Sequence, residues 1–266
     1  MATYRKPHRV GLKADGLRGA GRNTPLEFIT PRYEAGLKAA EIPIGAAAPG
    51  LTISQTNLVA HYRSDQGVTE SGGAVSQWDD IADAGNNWHL TEATNTPTLV
   101  ASQINGHDVI RFDGTSGDHL HNSSVAITNP FHVYFLFKTI VWTGDRFIWG
   151  GGNNSESPPH NILNTSEPEV RQGEAVGEFN PVNATVGTAF LINGQWNGSD
   201  TKQALNDGSY VDTGGSGTPN MAQFGLSGKT KPANVEFAEF ALYSALITGD
   251  AHTANIAYFQ QRYELW

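Results

Sequence analysis

The run Glu236-Phe-Ala-Glu239 is the nearest this chain comes to a pair of working carboxylates. Cleaving a glycosidic bond takes one acid to protonate the leaving oxygen and another to attack or to activate water. Both must point into the same cleft, and so leave the strand on one face. Side chains alternate along a strand, so an i, i+3 spacing puts these two acids on opposite faces. Glu239 then reads as a satisfied polar group inside a strand. The pairs in Glu169-Val-Arg-Gln-Gly-Glu174 and Glu174-Ala-Val-Gly-Glu178 are looser and read as solvated. No catalytic residue is assigned, and the chain is expected not to be an enzyme.

Other chemistry is equally thin. His119 and His121 are spaced to share a strand face, and His160 stands alone after Pro158-Pro159. Two imidazoles without a third ligand rarely hold zinc. Asp113 and Asp118 could offer oxygens to calcium, which needs six or more, but Asp-Gly-Thr-Ser-Gly-Asp is equally a turn that requires Asp and Gly. No metal and no cofactor are expected. Trp78, Trp88, Trp142, Trp149 and Trp196 could stack on sugar rings, yet in a chain short of aliphatics they belong mostly to the core. Trp88, beside Asn86-Asn87, and Trp142, before Thr143-Gly144, are the two placed to stay exposed and are the candidates for binding a glycan. Gly150-Gly-Gly-Asn-Asn154 lacks the Lys-Ser/Thr of a phosphate loop and reads as a plain loop.

The elements that would position these groups are strands. Thirty glycines among 266 residues, with many Asn, Ser and Thr, mark frequent turns. A period of two begins after Leu51, in Leu58–Arg63, Ala74–Trp78, Thr98–Ala101 and Asp108–Phe112, with Asn105-Gly106 as a hairpin turn between the last two. Phe131–Ile140 is the strongest strand, apolar on both faces and so central. Arg146–Trp149, Thr188–Ile192, Lys202–Leu205, Ser209–Val211, Ala222–Leu226 and Val235–Tyr243 follow. A helix closes the chain over Ala251–Trp266, with Thr248 as N-cap and Ile256, Phe259 and Tyr263 on one stripe. The absence of cysteine excludes a disulfide framework, thiol catalysis and cysteine-ligated zinc.

Residues 1–50 differ from the rest. They hold eight cations against four acids, a formal +4 in a chain of −9, which leaves −13 on residues 51–266. Pro7, Pro25, Pro31, Pro43 and Pro49 break the segment, and its apolar residues are too scattered for a core. It reads as an extended basic arm and linker, with residues 51–266 as one domain. The arm's cations Arg5, Lys6, Arg9, Lys13, Arg18 and Arg22 alternate with the apolar anchors Leu12, Leu17, Leu26 and Phe28, which suits a protein partner better than nucleic acid. Met1–Lys13 has no following apolar run, so no secretory signal is expected, and no stretch is long and apolar enough for a membrane span.

Leu58–Asp65, Val75–Asp80 and Ile104–Gly114 resemble the opening of concanavalin A-like, laminin-G-like jelly-roll domains. Ala238–Thr248 and the helix after it resemble that family's final strand and terminal helix. The resemblance implies an all-β jelly-roll β-sandwich, here with an extended N-terminal arm and a C-terminal helix. Where the family has an aromatic after the first Val-Ala, this chain has His61, so that position is not expected to stack a sugar. Glycosidases of the superfamily carry paired carboxylates on one strand face, and none is matched here. Such domains are common in bacterial surface and bacteriophage virion proteins. The implied role is a capsid decoration or cement protein, made in the host cytoplasm and present in many copies on the virion surface. Its arm would dock on the major capsid protein or another virion protein. The alternative is a carbohydrate-binding adhesin.

Overall fold

Alternation is strongest at Phe131–Val141, and the computed structural model shows what it serves. The structure describes residues 51–92, 95–115, 117–141, 146–151, 159–163, 169–174, 177–212 and 220–266. The arm residues Arg5, Lys6, Arg9, Leu12, Lys13, Leu17, Arg18, Arg22, Leu26 and Phe28 lie outside these, as does Trp142.

The strands in chain order are β1 (Leu58–Arg63), β2 (Val68–Ser71), β3 (Ala74–Trp78), β4 (Leu90–Glu92), β5 (Thr98–Ile104), β6 (His107–Asp113) and β7 (Leu120–Asn122). Then come β8 (Phe131–Val141), β9 (Arg146–Gly150), β10 (His160–Leu163), β11 (Glu169–Glu174) and β12 (Gly177–Asn183). The last are β13 (Ala189–Trp196), β14 (Lys202–Leu205), β15 (Val211–Asp212), β16 (Phe224–Leu226) and β17 (Asn234–Tyr243), before the helix α1 (Gly249–Tyr263). The described residues are therefore all-β with one C-terminal α-helix.

Every ladder between these strands is antiparallel. β17 is the hub: β8 runs along one side of it, while β6 and β1 share the other side end to end. β8 continues to β13, and β13 to β14. A second run passes from β3 through β4, β7, β16, β9 and β10 to β11 and β12. Among the described residues the pair Ala74↔Thr98 joins β3 to β5, which ladders with β6, so the two runs curl as one network.

That curl encloses the larger core. Phe131, Val133, Phe135 and Phe137 of β8 meet Val235, Phe237, Phe240 and Leu242 of β17, with Trp78, Trp149 and Trp196 among them, all fully buried. Each such side chain contributes about 1.5–3 kcal/mol on leaving water. The indole of Trp149 donates to Asn161 Oδ1 at 2.7 Å, Asn161 donates to Gln203 Oε1 at 2.8 Å, and Gln203 donates to the Val170 carbonyl at 2.9 Å. Buried polar groups need such partners.

The opposite faces of β8 and β17 carry Tyr134, Leu136, Ala238, Ala241 and Tyr243, which pack under Tyr258, Phe259 and Tyr263 of α1. Thr248 occupies the N-cap position without a side-chain capping bond. The far end is held by the β5–β6 turn. There Asn105 and Gly106 have φ of 45° and 85°, and the Asn105 amide donates to the Tyr263 carbonyl at 2.6 Å. One residue thus makes the turn and satisfies an orphan helix carbonyl.

Candidate functional site

A bulge decides the site. In β17 the register against β8 runs Phe237↔Phe137 and then Glu239↔Leu136, with Ala238 left unmatched. The extra residue restores parity, so Glu236 and Glu239 fall on the same face, the one toward α1. This corrects the expectation that three-residue spacing separates them. Both are fully buried.

They have different company. Glu236 sits between Arg111 of β6, whose Nε donates to Oε1 at 2.8 Å, and Lys138 of β8, 2.6 Å from Oε2. Glu239 gathers groups from two elements, β1 and α1. His61 of β1 places Nε2 2.6 Å from Oε1. On Oε2, the Tyr263 hydroxyl donates at 2.7 Å and the Tyr258 hydroxyl at 3.2 Å, with Arg262 Nε 3.5 Å away. Burial, reinforced by the Glu239 charge, pushes both phenols far above their ordinary range. They remain donors at any working pH.

From this buried hub a charged network reaches the surface. Arg262 Nη2 donates to Asp65 Oδ2 at 2.6 Å, and Arg63 donates to both Asp65 oxygens, at 3.1 and 2.8 Å. Burial alone would raise the Asp65 carboxyl, but the two guanidinium groups outweigh it and hold it below its usual range. Burial likewise opposes the charge on Arg262, and Tyr263, Tyr258 and Glu239 together more than restore it. His107 closes the end of the same helix, its Nε2–H donating to the Arg262 carbonyl at 2.8 Å, and burial followed by the Arg262 charge lowers its pKa.

Above the network is a pocket of about 520 Å³. Gln55, His61, Arg63, Asp65, Gln66 and Arg262 give it polar walls, while Ile53, Ile81 and the ring of Tyr258 are its apolar parts. Small-molecule sites span about 300–1,000 Å³. A second, more open cleft of about 320 Å³ is lined by Gln77, Asn87, His89, Thr91, His121 and Asn122. Alternation explains its lining: Asn87, His89 and Thr91 face it, whereas Trp88, half-buried, packs with Leu90 against the main core.

The other sequence candidates separate from these pockets. His119 is buried and stacks on His121 at 5.2 Å between ring centres, and no three potential ligands cluster among the described residues. Asp113 and Asp118 build a turn, with Asp118 Oδ2 accepting the Asp113 amide at 2.6 Å and Asp113 Oδ1 accepting the Thr115 amide at 2.7 Å. Burial pushes the Asp118 carboxyl up to about 7. The side chains of His160, Glu169, Glu174 and Glu178 lie outside the described residues. Sequence reasoning did not bring His61, Arg63, Asp65, Tyr258 and Arg262 together, because only the β1–β17 register and the docking of α1 join them.

No family model matches the chain, and no curated protein matches it. Solved structures do, in fold. A mutant GH54 α-L-arabinofuranosidase soaked with a 4-nitrophenyl arabinofuranoside has a TM-score of 0.57 at 14% identity, covering 83% of this chain and 63% of that one. The sialidase of Trypanosoma rangeli in complex with sialic acid gives 0.53 at 12%, over 82% of this chain but 36% of that one. An arabinofuranosidase complexed with arabinofuranosyl-α-1,2-xylobiose gives 0.51 at 13%, over 71% and 51%. The chain thus spans about a third of the sialidase and under two thirds of either arabinofuranosidase. The likeness is one of fold. It corrects one expectation: the flat statement that the chain is not an enzyme does not stand, since its structural neighbours are glycosidases.

Proposed function

We propose that residues 51–266 form a saccharide-binding domain and that the pocket at His61 receives the sugar. The pocket itself carries this reading. A sugar ring needs hydrogen-bond partners around its rim and an apolar surface for its C–H face. Arg63, Asp65, Gln55, Gln66 and Arg262 supply the first, and Ile53, Ile81 and Tyr258 the second. The groups are held in place beforehand by Glu239 and Asp65, which lowers the ordering cost of binding. The likeness in fold to enzymes solved with sialic acid and with an arabinofuranosyl oligosaccharide supports a saccharide as the ligand class.

The finer architecture belongs to the same proposal. A concanavalin A-like jelly roll accounts for the two runs of strands around one core and for the motifs at Leu58–Asp65 and Ile104–Gly114. The basic segment 1–50 is the attachment strap, docking the domain in many copies on a capsid or other virion protein, so that weak sugar contacts gain avidity.

The full-length protein on a glycan array tests this, with turnover of nitrophenyl glycosides followed in parallel to separate binding from cleavage. Binding to a subset of glycans, lost in Asp65→Ala, is expected. A blank array with the wild-type protein overturns the reading.

A further inference from the structure

Resting on the saccharide reading, we propose that His61 selects the ligand: Glu239 fixes the imidazole as its Nε2–H tautomer, and Nδ1 then accepts a hydrogen bond from a hydroxyl of a neutral sugar. Nε2 lies 2.6 Å from Glu239 Oε1. Glu239 already accepts from two phenols on its other oxygen, so it is the acceptor here too, and Nε2 carries the proton. The carboxylate thereby sets which ring nitrogen is free.

The free nitrogen is usable. His61 lines the pocket, Nδ1 has no partner among the described residues, and it is not among the sealed, unpartnered atoms of the interior. The backbone on both sides of the ring is pinned, since Asp80 Oδ1 accepts the His61 amide at 3.0 Å and the Ile81 amide donates to the His61 carbonyl at 2.8 Å.

The charges around the ring decide what Nδ1 can recognise. Glu239 faces it from β17, Arg262, Tyr258 and Tyr263 from α1, Arg63 from its own strand, Asp65 from the turn after it and Asp80 from the loop after β3. Two guanidinium groups stand against the three carboxylates Asp65, Glu239 and Asp80. The surroundings therefore hold no positive surplus to attract an anion, and an unprotonated Nδ1 asks for a donor. A sugar hydroxyl answers both conditions.

Imidazole ¹⁵N NMR of the full-length protein at pH 8 tests this directly. The expected spectrum has His61 protonated at Nε2 and bare at Nδ1. The methyl glycosides of glucose, galactose, arabinose and xylose are then added in turn, and at least one should shift His61 Nδ1 upfield. His61→Gln keeps a donor toward Glu239 but has no ring nitrogen to accept from the sugar, so it should lose about tenfold in affinity. A proton on Nδ1 at pH 8 overturns the proposal. So does an Nδ1 resonance unmoved by sugars that the array shows to bind, a result that leaves the saccharide reading standing. A blank array removes both.

Discussion

Glu236 and Glu239 share a strand, a face and complete burial, yet they do different work. Glu236 is matched by two permanent cations, Arg111 and Lys138, which belong to strands on either side of β17. It closes a charge cluster within the sheet. Glu239 is matched by an imidazole and two phenols, with a guanidinium at 3.5 Å, drawn from β1 and α1. It ties the helix to the sheet and orients a ring that faces a pocket. Burial of a carboxylate therefore says little about its role, whereas the kind of partner says a great deal. Fixed cations make a strut, and an imidazole with one nitrogen left toward a cavity makes a site.

The largest effect that could break this contrast is on stability. Glu239→Ala leaves His61, Tyr258 and Tyr263 unpaired in the interior, and the expected cost is about 3–5 kcal/mol in urea unfolding. Glu236→Ala should cost less, about 2–3 kcal/mol, because the long arms of Arg111 and Lys138 can turn toward water. Their side chains are 34% and 14% exposed, against 6% for Arg262. The reverse order would mean that the sheet cluster, not the helix hub, is the main tie.

Next in size is the pair of phenols. Tyr263→Phe removes the 2.7 Å bond to Glu239 and should cost about 1.5–3 kcal/mol, and Tyr258→Phe, at 3.2 Å, about half of that. Equal losses by thermal or chemical unfolding would show that Glu239 does not discriminate between them.

A third buried acid sharpens the comparison from the other side. Asp118 has neither cation nor phenol, one of its oxygens is unpartnered, and its carboxyl is pushed up from 3.8 to about 7. The folded state therefore keeps a proton that the unfolded state has lost between about pH 4 and 7. Stability from this group is full below about pH 4 and declines as pH rises through about 7. Asp118→Asn should flatten that decline in unfolding curves taken across the range.

Much of the scaffold was legible in the sequence. The apolar character of Phe131–Ile140 on both faces marked a central strand, Asn105-Gly106 marked a hairpin, and the stripe ending at Phe259 and Tyr263 marked the helix face that docks. The short strands β2, β4 and β7 carry too few residues to show a period, and they form because neighbouring strands offer free ladder positions. The site was hidden for a different reason. No glycine or proline announces the bulge at Ala238, so strict alternation assigned Glu236 and Glu239 to opposite faces. The partners of Glu239 lie 178 positions away at His61 and 19 and 24 positions away at Tyr258 and Tyr263, and no local pattern links them. Trp88 shows the same limit: its polar neighbours suggested exposure, but alternation with Leu90 turned its ring inward.

The most direct test of the account sets the two clusters against each other in one assay. Affinity for an array-selected glycan is measured by calorimetry on the full-length protein and on two folded variants, Asp65→Ala at the pocket and Glu236→Gln in the sheet cluster. A loss of tenfold or more for Asp65→Ala and unchanged affinity for Glu236→Gln are expected. Full binding by Asp65→Ala, or equal losses in both, would contradict this.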